Sequence, residues 1–279
     1  MKKQEAGFSV IELLTVMSVI ILLFSLLIPA LNQVRRFSKG VKQGAQFYSI
    51  RVGLEFFNVE QDGYPDSDES DSNGDSYCGS MKLAEAMVGK DLRGFNPDSD
   101  FSISANNSNI FYYENSRDNP EGRISYMDVD GVDAFKIQDL YDFDTYTATG
   151  FDPCDLVLCD VYATRTGGLA KKAGMPILYY KATTYRRGHD ANSTDFELDN
   201  VYDYFDNEEL ISMGNYVQDI HPLYDGGVDF ATGSDLFYDE TRNKKINIPF
   251  PVRNDSYILM SAGMDGLYGT KDDMFNFRR

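Results

Sequence analysis

The chain has 279 residues, 42% of them apolar, which is enough for one good-sized core, and its 44 Asp and Glu outnumber 26 Lys and Arg to give a net charge of −18 at pH 7. That balance argues against nucleic acid or anionic lipid as the partner of most of the chain and favours cations. Only His189 and His221 represent the commonest catalytic base, and the three cysteines lack a Cys-x-x-Cys pair, so acid–base chemistry and zinc are not advertised.

The first element is the apolar run Phe8 to Leu31, which follows Lys2 and Lys3. A helix of that length, at about 1.5 Å per residue, crosses the roughly 30 Å hydrocarbon core of a bilayer. The leading lysines place the N-terminus in the cytoplasm and the bulk of the chain outside the inner membrane, although Arg35 and Arg36 on the far side weaken that signal. Glu12 is anomalous. A charge within hydrocarbon costs roughly 2.5 to 3.5 kcal/mol and calls for a partner. An ordinary secretory signal would be shorter and carry a small-x-small cleavage site, and an ordinary anchor has no reason to keep the glutamate.

Gly7-Phe-Ser-Val-Ile-Glu-Leu-Leu14 resembles the class III signal of type IV pilins and of type II secretion pseudopilins. The resemblance implies cleavage after Gly7 by a prepilin peptidase, a leader of residues 1–7, and a mature chain that starts at N-methyl-Phe8. It also supplies a partner for Glu12: the ammonium at Phe8 of a neighbouring subunit, the pair setting axial register in a filament core. Pro29 removes a backbone donor inside the helix at a cost of about 3 kcal/mol. In the family it implies a helix able to bend or unwind there during assembly; without the family it is a kink at the membrane exit.

Beyond Pro29, the residues Val34, Phe37, Val41, Ala45, Tyr48, Val52, Phe56 and Val59 recur at helical steps. They predict a helix over 8–61, about 80 Å long, with its membrane half at 8–31 and one stripe of its second half packed on a globular domain. Gly40, Gly44 and Gly53 either weaken this helix or permit close helix approach. The closing Gly63-Tyr-Pro65 also resembles the helix end of major pseudopilins.

The head, residues 62–279, reads as short segments between polar turns. Ser108 to Tyr113, Ile124 to Val129, Leu156 to Tyr162, Pro176 to Thr184 and Asp255 to Met260 are candidate strands, and Met81 to Val88 is a candidate amphipathic helix with a glycine stop. The expected class is α+β, a pilin-like fold with an antiparallel sheet on the long helix and a large middle insertion at about 91–253. Asp130-Gly131 reads as a hairpin turn, and the acidic stretch Asp66 to Asp75 as a solvated loop, since Ser80 stands where an EF-hand glutamate would be. Cys154 and Cys159 are candidates to close a small disulfide loop in an oxidising space, leaving Cys78 unpaired.

The C-terminal stretch 261–275, Ser-Ala-Gly-Met-Asp-Gly-Leu-Tyr-Gly-Thr-Lys-Asp-Asp-Met-Phe, holds carboxylates on a glycine-pinned loop. Calcium takes six to eight such oxygens, from carboxylates, carbonyls and water. The string resembles the calcium loop of the major pseudopilin of type II secretion systems. That resemblance implies Asp265 and Asp272 as carboxylate ligands, Thr270 and Asp273 as further contributors, and backbone carbonyls near Ala262. The expectation is therefore a calcium-binding, non-enzymatic subunit of a pseudopilus. Its head would be periplasmic, and its partners would be further copies and other pseudopilins, the prepilin peptidase, and a secretion platform with its ATPase. A type IV pilus subunit and a membrane-anchored extracytoplasmic calcium-binding domain are the alternatives.

Overall fold

The computed structural model describes residues 9–102, 122–128, 131–165, 172–191, 199–216, 219–224 and 233–277. The chain divides into two compact units, Met1–Lys42 and Gln43–Arg279. The first is the start of helix α1, Val10–Gln61, which continues helical through Pro29. Every large apolar side chain from Val10 to Leu31 is exposed, and the helix is long and apolar enough to span a membrane.

The second unit is α+β. Its portion of α1 buries Gln43, Gln46, Phe47, Ile50, Gly53, Leu54 and Phe57. This face lies opposite the stripe that periodicity selects: Val34, Phe37, Val41, Ala45, Tyr48, Val52, Phe56 and Val59 all point outward. The reason is that the packed face uses residues a hydrophobic count overlooks. Gly53 admits neighbours where a Cβ would sit 2.8 Å from Met87 Sδ and 3.0 Å from the Tyr126 carbonyl. The Gln46 amide donates to the Cys159 carbonyl at 2.8 Å, and the Val161 N–H donates to Gln43 Oε1 at 3.0 Å, so two buried amides serve backbone groups that end a strand.

Helix α1 stops where Asp62 takes a left-handed conformation, φ 57°, and Tyr64 and Pro65 turn the chain onto the head, the Tyr179 hydroxyl donating to the Pro65 carbonyl at 2.7 Å. Helix α2, Gly79–Val88, ends at Gly89, whose φ of 75° a side chain would resist. It is buried on every side rather than amphipathic. Its charges are internally satisfied: Lys82 Nζ donates to the carbonyls of Asp68 and Ser70, each at 2.9 Å, and Glu85 accepts from the hydroxyls of Tyr77 and Ser99.

Strand β1, Ala134–Lys136, pairs antiparallel with β2, Leu156–Leu158; between them lie α3, Ile137–Leu140, and α4, Phe143–Thr149. The short β3, Thr164–Arg165, and β4, Lys172–Ala173, also pair antiparallel. The central sheet orders β5, Leu178–Lys181, then β6, Tyr257–Ser261, then β7, Met274–Phe275, all antiparallel. β2 joins its edge, because the Ile177 N–H donates to the Leu158 carbonyl at 2.7 Å and the Asp160 N–H to the Met175 carbonyl at 2.8 Å.

The strand period of two then assigns the layers. Leu156, Leu158, Ile177, Tyr179, Tyr257 and Leu259 pack with the buried face of α1 and with α2. Val157, Cys159, Leu178, Tyr180, Ile258 and Met260 pack with the insertion, including Tyr202, Tyr204 and the helices α5, Glu208–Ser212, and α6, Gly233–Thr241. The insertion thus covers the second face of the sheet. Tyrosine hydroxyls reach backbone carbonyls there, Tyr204 to Leu223 at 2.6 Å and Tyr216 to Gly174 at 2.6 Å, which is how tyrosine fills an interior in a chain without tryptophan.

Several sequence expectations shift. Ser108 to Tyr113 lies outside the described residues, as does Val129. Ile124 makes one bridge to Phe95 instead of opening a strand; Asp130, half of the expected hairpin turn, lies outside the described residues, and β1, which follows Gly131, pairs with β2. The Asp66 to Asp75 loop is not simply solvated. Buried Asp71 accepts from the backbone of Asn73 and Asp75 and from the Ser102 hydroxyl at 2.6 Å, so its carboxylate organises the turn. Cys78, Cys154 and Cys159 are free thiols. Cys154 is exposed and Cys159 is buried behind the end of β2.

Candidate functional sites on the N-terminal helix and the C-terminal loop

Gly7 and Phe8 lie outside the described residues. The first described residue, Ser9, caps α1. Its hydroxyl accepts from the Ile11 N–H at 3.4 Å, and Glu12 Oε2 reaches back to accept from the Ser9 N–H at 2.9 Å. Ser9-Val-Ile-Glu12 is therefore a capping box, in which the carboxylate satisfies one of the donors every helix start leaves open. The Ser-x-x-Glu spacing announces this in the sequence, and the apolar setting of Glu12 distracts from it.

Further along, Thr15, Ser18 and Ser25 turn their hydroxyls back onto the carbonyls of Glu12, Thr15 and Leu22, at 2.9, 2.8 and 2.7 Å, so the polar groups within the apolar run are satisfied by the helix itself. Pro29 leaves the Ser25 carbonyl without its helical donor. In the second unit the outward stripe persists as Tyr48, Val52, Phe56 and Val59, with Val59 79% and Phe56 60% exposed. One face of α1 is thus apolar and uncovered well past the length a bilayer requires.

The C-terminal loop grows from the end of β6. Ser261 donates its hydroxyl to Asp160 Oδ2 at 2.7 Å, and Ala262 is fully buried. Gly263, Gly266 and Gly269 all take positive φ, 68°, 71° and 91°, which explains the glycine spacing. Asp272 is the organiser. Its Oδ2 accepts from the N–H groups of Met264 at 2.7 Å and Asp265 at 3.2 Å, and its Oδ1 from the Thr270 hydroxyl at 2.6 Å. Asp265 caps the next turn by accepting from the Leu267 N–H at 2.9 Å.

Partial burial and the Asp272 carboxylate push the Asp265 carboxyl above the usual range. Burial alone would raise Asp272 too, but the hydrogen bonds from Thr270 and Met264 outweigh it and hold that carboxyl low. Asp273 plays a different part: Oδ2 accepts from the N–H groups of Gly269 and Thr270, at 2.8 and 3.1 Å. The loop therefore brings Asp265, Thr270 and Asp272 together and turns one oxygen of Asp273 onto backbone donors. Among the described residues no group of three or more His, Cys, Asp or Glu side chains gathers as a metal site.

The donor set nevertheless suits a hard cation. Carboxylates drawn onto one short loop repel unless a proton or a cation offsets them, and calcium completes its shell from carbonyls and water. The insertion braces this loop from behind. Tyr268 accepts from the Leu223 N–H at 3.0 Å, and its own N–H donates to His221 Nδ1 at 3.1 Å. Burial lowers the His221 pKa to about 4, which keeps the ring neutral and able to accept. No sequence pattern ties His221 to a tyrosine 47 positions away; only the fold brings them together.

Comparison with protein-family models, curated proteins and solved structures finds no match for the chain.

Proposed function

We propose that this chain is a pilin-like filament subunit, most specifically a pseudopilin of a type II secretion system. The observation that carries the reading is the uncovered apolar face of α1. It continues through Tyr48, Val52, Phe56 and Val59, where the opposite face is already packed on the head. A helix that only tethers a domain has no use for such a face in water, whereas helices packed side by side in a filament core bury it. Cleavage after Gly7 frees the Phe8 ammonium, which engages Glu12 of a neighbour in place of, or alongside, the cap on Ser9. Pro29 lets the helix yield as the subunit leaves the membrane. The head stands in the periplasm, the secretion platform and its ATPase drive assembly, and the filament moves folded cargo. Calcium held by Asp265 and Asp272 orders the loop that Tyr268 ties to the insertion.

The N-terminal peptide of protein purified from its native membrane tests this. A peptide starting at Phe8 with one added methyl group supports it; one starting at Met1 overturns it. A second reading, a membrane-anchored extracytoplasmic calcium-binding domain, draws support from the Ser9–Glu12 cap, which satisfies the glutamate without any neighbour. The two separate on Glu12→Ala, which abolishes assembly under the first and leaves the second indifferent. A type IV pilus subunit shares every feature of the first reading and differs in the machine that assembles it.

A further inference from the structure

The chain between Arg242 and Pro251 forms a closed, outward-pointing tip. Its stem is set by the pairing of Arg242 with Pro251 and by the Asn243 N–H donating to the Phe250 carbonyl at 2.8 Å. Asn243 further accepts from the Lys245 N–H at 3.1 Å, and Asn243 O from the Ile246 N–H at 3.3 Å. The tip is preorganised, yet all six residues 244–249 are exposed. Three of its first four side chains are cationic, Arg242, Lys244 and Lys245, Lys244 already pairing with Asp239 at 3.0 Å on an exposed surface, and the tip displays Ile246 and Ile248, the latter 69% exposed. A rigid loop showing branched apolar side chains beside lysines, on a chain of net charge −18, is a concentrated exception to its surroundings.

A complementary feature lies elsewhere on the same unit: a cavity of about 530 Å³ bordered by Asp66, Asp68, Glu69 and Asp203, with the exposed ring of Tyr185 at its edge. Two cations also line it, and both are engaged: Lys181 pairs with Asp66 at 3.6 Å, and Arg186 lies 5.5 Å from the centre of the Tyr185 ring. Acidic side chains outnumber the cationic ones in its lining. A patch and its complement at two different places on one chain generate a head-to-tail contact, which propagates as an open helical array where the rotation between copies does not close into a ring.

We propose that the 242–251 tip of one copy seats in the Asp66–Asp203 cavity of the next, with Lys244 and Lys245 facing the carboxylates and Ile246 or Ile248 against Tyr185. This rests on the filament reading and adds a contact between heads to the packing between helices. Charge complementarity favours a second copy over a lipid surface, because every copy presents the same acidic cavity at the same spacing. Exposed pairs of this kind steer and select partners, and their effect fades with salt.

The test uses two differently tagged full-length chains in membranes, both in a Cys154→Ser background because Cys78 and Cys159 are buried. One carries Ile248→Cys and the other Tyr185→Cys, and oxidation reports a mixed dimer. The expected result is a cross-link that falls about tenfold on Lys244→Glu with Lys245→Glu, equivalent to about 1.4 kcal/mol. It should return when the second chain carries Asp68→Lys with Glu69→Lys, an outcome misfolding cannot produce. A parallel pair of Val41→Cys chains reports helix packing independently. If Val41 cross-links and Ile248–Tyr185 does not, or if charge reversal changes nothing, the head contact is wrong and the filament reading stands. If neither forms, both fall. If the tip binds anionic vesicles and reversal abolishes that while leaving the cross-link unchanged, the tip belongs to lipid and the proposal is overturned.

Discussion

Leu54 and Val59 sit five residues apart on one helix and face opposite ways, and truncating each to alanine gives opposite expectations. Leu54 is fully buried among α1, α2 and the central sheet. Leu54→Ala removes three carbons, worth about 0.8 kcal/mol each in transfer, and leaves a cavity that a close-packed interior fills poorly, for a total of about 3 to 4 kcal/mol. Val59 is 79% exposed, and Val59→Ala removes almost no buried surface while improving helix propensity, so its cost stays below about 0.5 kcal/mol. The assay is thermal and urea unfolding of the full chain in detergent, followed by near-UV circular dichroism of its 19 tyrosines, which report head packing and not the membrane helix. For a domain of this size the first change lowers the midpoint by about 10 °C and the second leaves it within about 2 °C. Equal losses, or a loss at Leu54 below about 1 kcal/mol, would refute the assignment of the packed face and return it to the stripe that periodicity alone selects.

Three further expectations follow from local chemistry. Glu12→Ala removes half of the capping box and costs the helix start about 1 kcal/mol; membrane insertion survives it, and in cells the filament reading expects pelletable assemblies to disappear. Asp155 is buried with Oδ2 unpartnered, and burial, opposed by Lys90 and reinforced by Asp152 and Glu85, pushes its pKa up to about 7. A carboxyl whose folded pKa is raised contributes stability below its unfolded pKa near 4 and loses it as pH climbs to 7, so Asp155→Asn should flatten that decline, recovering no more than about 4 kcal/mol at pH 8. A variant that declines with pH as steeply as the native chain would exclude Asp155 as the source. Finally, calcium at 100 times its dissociation constant should stabilise the head by about 2.7 kcal/mol, an effect that chelator removes and Asp272→Asn abolishes; a midpoint indifferent to both would remove calcium from the account.

What the sequence determined by itself was whatever depends on near neighbours in the chain. Length and apolar run fixed a helix able to span a bilayer, and short apolar segments between polar turns located β2, β5 and β6. The glycines of the 261–275 loop foretold its positive φ values. What the tertiary structure decided depended on groups far apart. Periodicity finds apolar stripes but cannot say which of two a domain will cover, and α1 has two; Gly53, Gln43 and Gln46 settled the choice by close approach and by serving strand ends more than 100 residues away. The fully buried α2 read as amphipathic because its Lys82 and Glu85 find partners only in the folded head. The insertion had no legible pattern because its tyrosines are interior through hydroxyl bonds to distant carbonyls, and a hydropathy count assigns those residues to neither surface nor core.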